Sequence, residues 1–162
     1  MLRHVHHALS AMVVGCLVLL GPAAAAKAQA PKAADAMKLA IPKAEVTDRD
    51  DDETRLLKER YNAALEEWES LSALVDIGQI TTADSELLSC LRRVVTAGME
   101  LYRGGADRLK LLEEYVRVAK VSADATEAAA AAGRASSHER QRVRYYRLDA
   151  ELALLREKKR TL

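Results

Sequence analysis

The pattern Gly-x-x-Ser/Thr-x-x-Asp/Glu occurs twice in this chain, 55 residues apart, each time between two long stretches of helical periodicity. The copies are Gly78-Gln79-Ile80-Thr81-Thr82-Ala83-Asp84 and Gly133-Arg134-Ala135-Ser136-Ser137-His138-Glu139. Glycine ends a helix cheaply because it takes a left-handed conformation without a Cβ clash. A hydroxyl followed three residues later by a carboxylate caps the next helix. A chain built this way runs helix, turn, helix, twice over. The expected fold is all-α: two tandem helical hairpins, over about residues 51–103 and 106–158, forming an antiparallel four-helix bundle or coiled coil.

The apolar spacing supports this reading. The first helix, from about Asp51 to Ile77, carries Leu57, Tyr61, Ala64, Trp68, Leu71 and Val75 at steps of four and three. The second starts near Thr82 and places Leu88, Leu91, Val95, Met99 and Tyr102 on one side, widened by Leu87, Val94 and Leu101, before Gly104-Gly105 ends it. The third, from about Ala106 to Ala132, has a seam of Leu109, Leu112, Val116, Ala119, Ala123, Thr126 and Ala130. The fourth, from about Ser137 to Lys158, has two apolar strips: Val143, Tyr146, Ala150 and Ala153 on one, Tyr145, Leu148, Leu152 and Leu155 on the other. Two strips imply two neighbours. No stretch alternates with the period of two that a half-buried strand requires. An up-down-up-down path puts the Gly78 and Gly133 turns at one end, with Gly104-Gly105 and both chain ends at the other.

Residues 1–28 read as a secretory signal peptide: Arg3 and three histidines, an apolar run from Ala8 to Leu20, a break at Gly21-Pro22, and Ala26-Lys27-Ala28 as the preferred cleavage site. Val13-Val14-Gly15-Cys16 faintly resembles a lipoprotein box, but the apolar run continues past Cys16, which argues against lipidation there. The run is also shorter than the roughly 20 residues that a membrane span needs. Residues 29–47, rich in Ala, Lys and Pro, read as a flexible tether, and residues 48–162 as the helical domain. The acidic run Asp48–Glu53 suits a helix amino terminus, where carboxylates oppose the positive end of the dipole. The alternative, a calcium loop, lacks the glycine and distal glutamate of an EF-hand.

Composition narrows the chemistry. Losing Arg3 and Lys27 with the leader lowers the basic count from 25 to 23 against 24 acids, a balance that argues against a nucleic-acid partner. Cys90 and His138 alone of their types lie beyond the leader, too few for a zinc site, a disulfide or a Cys/His nucleophile pair. No catalytic, cofactor or metal residues are assigned, and no enzymatic activity is expected. With few aromatics and no Phe, the core is expected to consist mainly of Leu, Val and Ala.

An offset of 55 also pairs Leu56 with Leu111, Leu57 with Leu112, Glu59 with Glu114, Ala64 with Ala119 and Ala73 with Ala128. Over roughly residues 55 to 155 the chain resembles the helical hairpin repeats of the TolC-type outer-membrane efflux protein family, in which a glycine, a hydroxyl three positions on and an aspartate six positions on mark the periplasmic hairpin turn. The resemblance implies that Gly78, Thr81 and Asp84, with Gly133, Ser136 and Glu139, form turns that face a periplasmic adaptor. Two features depart from the family. Polar residues, Ser85-Glu86 and Arg140-Gln141, follow each acid, and there are no strands for a membrane barrel.

Other residues carry further expectations. Arg140, Arg144 and Arg147 line one face of the fourth helix as a possible anion-binding face, or pair with acids such as Glu113, Glu114, Asp124 and Glu127. Cys90 is expected to be a half-buried thiol, His138 a surface residue, and Ala128–Ala132 either a site of close helix approach or simply good helix formers. The expected function is an exported, non-enzymatic helical scaffold or interaction protein of the periplasm or cell envelope. Its partner is itself or another helical envelope protein, with membrane contact only through the signal segment or an efflux partner. The alternative is an accessory subunit of an efflux or transport assembly that docks an adaptor or channel.

Overall fold

The computed structural model describes residues 36–161; the signal-peptide segment, Cys16, the cleavage site and the start of the expected tether lie outside them. Among the described residues four complete helices follow in order, after a helical stretch at residues 36–37: α1 (Asp52–Asp76), α2 (Ser85–Leu101), α3 (Gly105–Ala131) and α4 (Ser137–Arg160). The fold is all-helical, with no strand among the described residues. The acidic run starts α1 as its charge pattern predicts: the Asp51 side chain accepts from the Thr54 amide, and Asp52 and Glu53 occupy the first turn.

Both glycine turns stop their helices by the same hydrogen bonds. Gly78 (φ 71°) and Gly133 (φ 68°) are left-handed. Gln79 N donates to Leu74 O at 2.9 Å and Gly78 N to Val75 O at 3.1 Å; in the second turn Arg134 N donates to Ala129 O at 2.8 Å and Gly133 N to Ala130 O at 2.9 Å. This is the Schellman closure, which satisfies the last helical carbonyls.

The caps that follow differ, and here the sequence expectation holds for one copy only. Ser136 accepts from the Glu139 amide at 3.2 Å while Glu139 Oε2 accepts from the Ser136 amide at 2.7 Å, a complete capping box. In the first copy Thr81 is not the cap. Asp84, expected as the acid of the box, is itself the N-cap and accepts from Glu86 N at 2.8 Å and Leu87 N at 3.3 Å. A tertiary contact accounts for the three-residue delay: Ala83 is buried, the Thr82 carbonyl accepts from the Ser122 hydroxyl of α3, and Asp84 N closes a turn on Thr81 O at 3.0 Å.

Sequential helices run antiparallel. Arg60 meets Glu100 at 2.6 Å and Arg93 meets Glu67 between α1 and α2; Glu127 meets Arg140 at 3.1 Å and Arg108 meets Glu157 at 3.3 Å between α3 and α4. α2 is the central helix, buried along Leu87, Leu88, Leu91, Val94 and Val95, and it packs on α1, α3 and α4. Its Gly98 allows close approach to α3, since a Cβ there would lie 2.5 Å from Leu111 Cδ2 and 3.1 Å from Tyr61 Cε2. The centre of the core is more aromatic than composition suggests: Trp68, Tyr61 and Tyr115 are its largest buried side chains. The α3 seam is also rotated from the expected one, burying Leu111, Tyr115, Val118 and Ser122 beside Leu112, Ala119 and Thr126.

The backbone of α1 comes close to that of α2 but not to that of α3 or α4, although its buried Tyr61, Leu65 and Trp68 share one core cluster with Leu111, Tyr115 and Val118 of α3. The gap between α1 and α3 is closed by residues 36–46, which the sequence reading assigned to a flexible tether. In the structure this stretch is a strap. Met37 is fully buried; Arg117 of α3 donates to Ala36 O at 2.6 Å and also to Lys38 O; Ala40 N donates to Glu114 at 2.9 Å. On the α1 side, Asn62 makes a two-way bond with the Ala44 backbone, 2.8 Å each way, and Lys43 meets Glu66 at 3.2 Å. A Pro-interrupted segment cannot satisfy its backbone as a helix, so side chains of α1 and α3 do it instead.

The Thr82–Ser122 contact also sets the height of the two turns. Ser122 lies about ten residues before the end of α3, so the α3/α4 hairpin extends roughly 15 Å past the first turn at 1.5 Å per residue. That extension, including Ala128, Ala131, Ala132 and Gly133, is largely exposed.

Candidate functional site

α4 separates its two apolar strips onto opposite faces. Val143 and Ala150 are buried against the core, with Tyr146 and Ala153 partly buried beside them. The second strip is open: Tyr145 is 54% exposed, Leu148 51%, Leu152 44% and Leu155 50%. With 3.6 residues per turn, positions two before and two after Ala150 lie nearly opposite it, so Leu148 and Leu152 point away from Ala150, while Tyr145 leans toward α2, its hydroxyl accepting from Arg92 at 3.5 Å and its ring meeting Tyr146 edge-on. Steps of three, four and three keep the four side chains in one line along the helix.

Charges flank this line on both sides. On one edge stand Arg144 and Glu151; Glu151 accepts from Arg147 at 3.2 Å, and Arg144 makes no ion pair among the described residues. On the other edge stand Asp149 and Arg156. Asp149 accepts from the Tyr115 hydroxyl at 3.0 Å and lies 3.7 Å from Arg92, while Arg156 likewise makes no ion pair among the described residues. A lone Leu on a surface is ordinary, but four large side chains in register form a continuous apolar line of the kind that marks an interaction site.

The arginines expected to form an anion-binding face share a groove of about 390 Å³ between α3 and α4 with two acids, Asp124 and Glu127. Arg140 pairs with Glu127 across the hairpin, Arg147 pairs along its own helix, and Arg144 is left. The groove is thus of mixed sign, close to the cross-hairpin pairing alternative.

The six turn residues do not converge on one site. The first turn tucks against α3, whereas Gly133, Ser136 and Glu139 sit on the projecting hairpin. The Glu139 carboxyl is held below the usual carboxylate range by the Ser136 amide, then by the Ser136 hydroxyl, so its charge serves the cap. His138 is exposed and accepts from Arg142 at 2.7 Å.

Cys90 is fully buried rather than half-buried, and its thiol is pushed up to about 12, first by burial and then by the Glu67 charge. A thiol so far from ionising at neutral pH is a core side chain. Among the described residues, no three His, Cys, Asp or Glu side chains are grouped as a metal site requires, and no helix is long and apolar enough to cross a membrane.

One groove had no sequence signal. α1 and α4 stand apart over α2, leaving a groove of about 610 Å³ with Ala63, Ala64, Ser89, Thr96 and Ala97 among its lining residues. Its arginines are matched with acids: Arg60 with Glu100, Arg93 with Glu67 and Arg92 with Asp149. Small residues at these positions look like ordinary helix composition, so only the placement of α1 reveals the groove. Comparison with protein-family models, with curated proteins and with solved structures gives no match for this chain.

Proposed function

We propose that this protein is an exported helical scaffold of the cell envelope whose working surface is the outer face of α4. The open strip Tyr145-Leu148-Leu152-Leu155 carries the reading: four large side chains in one line, each about half exposed, touched at its start by Arg92 of α2 and bordered at Leu148 by the α3/α4 groove. Export rests on the sequence alone, on the basic start, the apolar run and the Ala-x-Ala site of residues 1–28. A photo-crosslinker placed at Leu152 in intact cells tests the surface. A protein adduct that disappears when Leu148 is changed to Glu supports the reading, and no adduct at any point in growth overturns it.

A second reading is favoured by the hairpin extension. The α3/α4 tip reaches past the rest of the fold and ends in the Gly133/Ser136/Glu139 turn, the copy that keeps the complete capping box. An accessory subunit of an efflux or transport assembly would dock an adaptor or channel there. Crosslinking from Ser136 separates the two readings: an efflux adaptor or a barrel protein in the adduct favours transport, and copies of this chain favour the scaffold.

A further inference from the structure

We infer that the outer face of α4 pairs with the same face of a second copy of this chain, in parallel, as a short two-stranded coiled coil. This inference rests on the reading of α4 as a docking surface and names its occupant. The spacing places Tyr145 and Leu152 at a positions of a heptad and Leu148 and Leu155 at d positions. Arg144 and Glu151 then fall at g, Asp149 and Arg156 at e.

These four charges choose both the partner and the direction. In a parallel pair each g residue faces the e residue five positions on in the other helix. Arg144 meets Asp149 of the second copy, Glu151 meets Arg156 of the second copy, and two-fold symmetry makes each contact twice. All four contacts join opposite signs. The antiparallel alternative uses the same apolar residues, with Tyr145 on Leu155 and Leu148 on Leu152. It sets Glu151 against Glu151, Asp149 against Asp149, Arg144 against Lys158 and Arg142 against Arg156, so every flanking contact joins like signs.

The ion pairs already present fit the parallel arrangement. Asp149 and Glu151 each hold one arginine of their own chain, Arg92 and Arg147, while Arg144 and Arg156 have no acid among the described residues. Parallel pairing gives each of those two arginines a carboxylate. Within the protomer Arg92 of α2 lies at one edge of this face, donating to the Tyr145 hydroxyl at 3.5 Å and 3.7 Å from Asp149, so Asp149 is shared between Arg92 and Arg144 of the second copy. Gln141 and Lys159 occupy the next seam positions at either end and limit the apolar seam to four layers. A seam this short makes a weak, concentration-dependent dimer.

Sedimentation equilibrium of the full chain, with charge variants, tests the inference. The expected result is a monomer–dimer equilibrium that Leu148→Glu abolishes. Arg156→Glu and Glu151→Arg each weaken association about tenfold by turning two attractive contacts into repulsive ones, and an equimolar mixture of these two variants regains wild-type association. All three positions are at least partly exposed, so unchanged far-UV circular dichroism and melting temperature show that the variants fold. Tighter association of Arg156→Glu overturns the parallel direction, because an antiparallel pair would gain a contact with Arg142. Association that survives Leu148→Glu lies outside α4 and overturns the inference, as does a chain that stays monomeric to about 1 mM. The docking reading fails separately, through the absence of any adduct at position 152; an adduct with a different protein retains that reading and overturns self-pairing.

Discussion

Trp68 donates its indole N–H to the carbonyl oxygen of Met37 at 3.2 Å, and both side chains are buried. The bond joins α1 to the strap, which leaves helix after Met37, and places the Met37 side chain in the main core cluster. The strap is therefore part of the fold's stability. Met37→Ala is expected to lower unfolding free energy by about 2–4 kcal/mol, the range for truncating a fully buried large apolar side chain. Urea denaturation followed by tryptophan fluorescence measures it, and a change below about 0.5 kcal/mol would return the strap to the status of a tether.

Alanine at three glycines should act through two different causes. Gly78 and Gly133 have open space where a Cβ would go, so Gly78→Ala and Gly133→Ala meet only the strain of a left-handed backbone, about 1–2 kcal/mol each. Gly98→Ala meets the buried Leu111 and Tyr61 side chains and should cost about 1–3 kcal/mol by overpacking. Reducing Leu111 to Ala in the same chain separates the causes: it makes room for the Gly98→Ala methyl, so a double-mutant cycle shows coupling, while the same cycle with Gly133→Ala is additive.

The two capping arrangements make opposite predictions for their hydroxyls. Ser136→Ala should destabilise by about 1 kcal/mol, and Thr81→Ala should change little, because Asp84 caps α2. Asp84→Ala carries the cost in the first turn. Thermal melts of the three variants decide it, and a Thr81→Ala loss equal to that of Ser136→Ala would restore the capping box in both copies.

Glu157 anchors the far end of the α3/α4 pair. Its buried carboxylate accepts from Arg160 at 2.5 Å and lies 3.3 Å from Arg108, and the Arg160 bonds, ahead of the Arg108 charge, hold it below the usual glutamate value of 4.5. A depressed carboxyl contributes stability above its unfolded value and loses it as pH falls through the folded one. Wild type should thus exceed Glu157→Gln in urea midpoint at pH 7, with the difference shrinking below about pH 4.5. An equal difference at pH 7 and pH 2.5 would assign the effect to shape instead of charge.

Much of the fold is legible from local chemistry. The acidic run at Asp51 starts α1, Gly78 and Gly133 end helices, and Ser136 with Glu139 begins α4, because stops and caps are made by residues within about six positions of each other. The candidate site is half legible in the same way. The two strips of α4 can be read from spacing, but nothing in the sequence tells which strip faces inward. Val143 and Ala150 differ little in character from Tyr145 and Leu148 until α3 is placed against one of them.

The sequence by itself determined four helices, their approximate ends and a fourth helix with two apolar faces, since each follows from periodicity and from contacts close along the chain. Only the tertiary structure decided that residues 36–46 bridge α1 and α3, that Asp84 caps α2 in place of Thr81, and that Tyr145, Leu148, Leu152 and Leu155 stay open. The Asn62, Glu114 and Arg117 groups that hold the strap, and the Ser122 hydroxyl that draws in the first turn, lie from 18 to 81 residues away from their partners. Contacts at that separation depend on how the helices pack, and local pattern does not encode them.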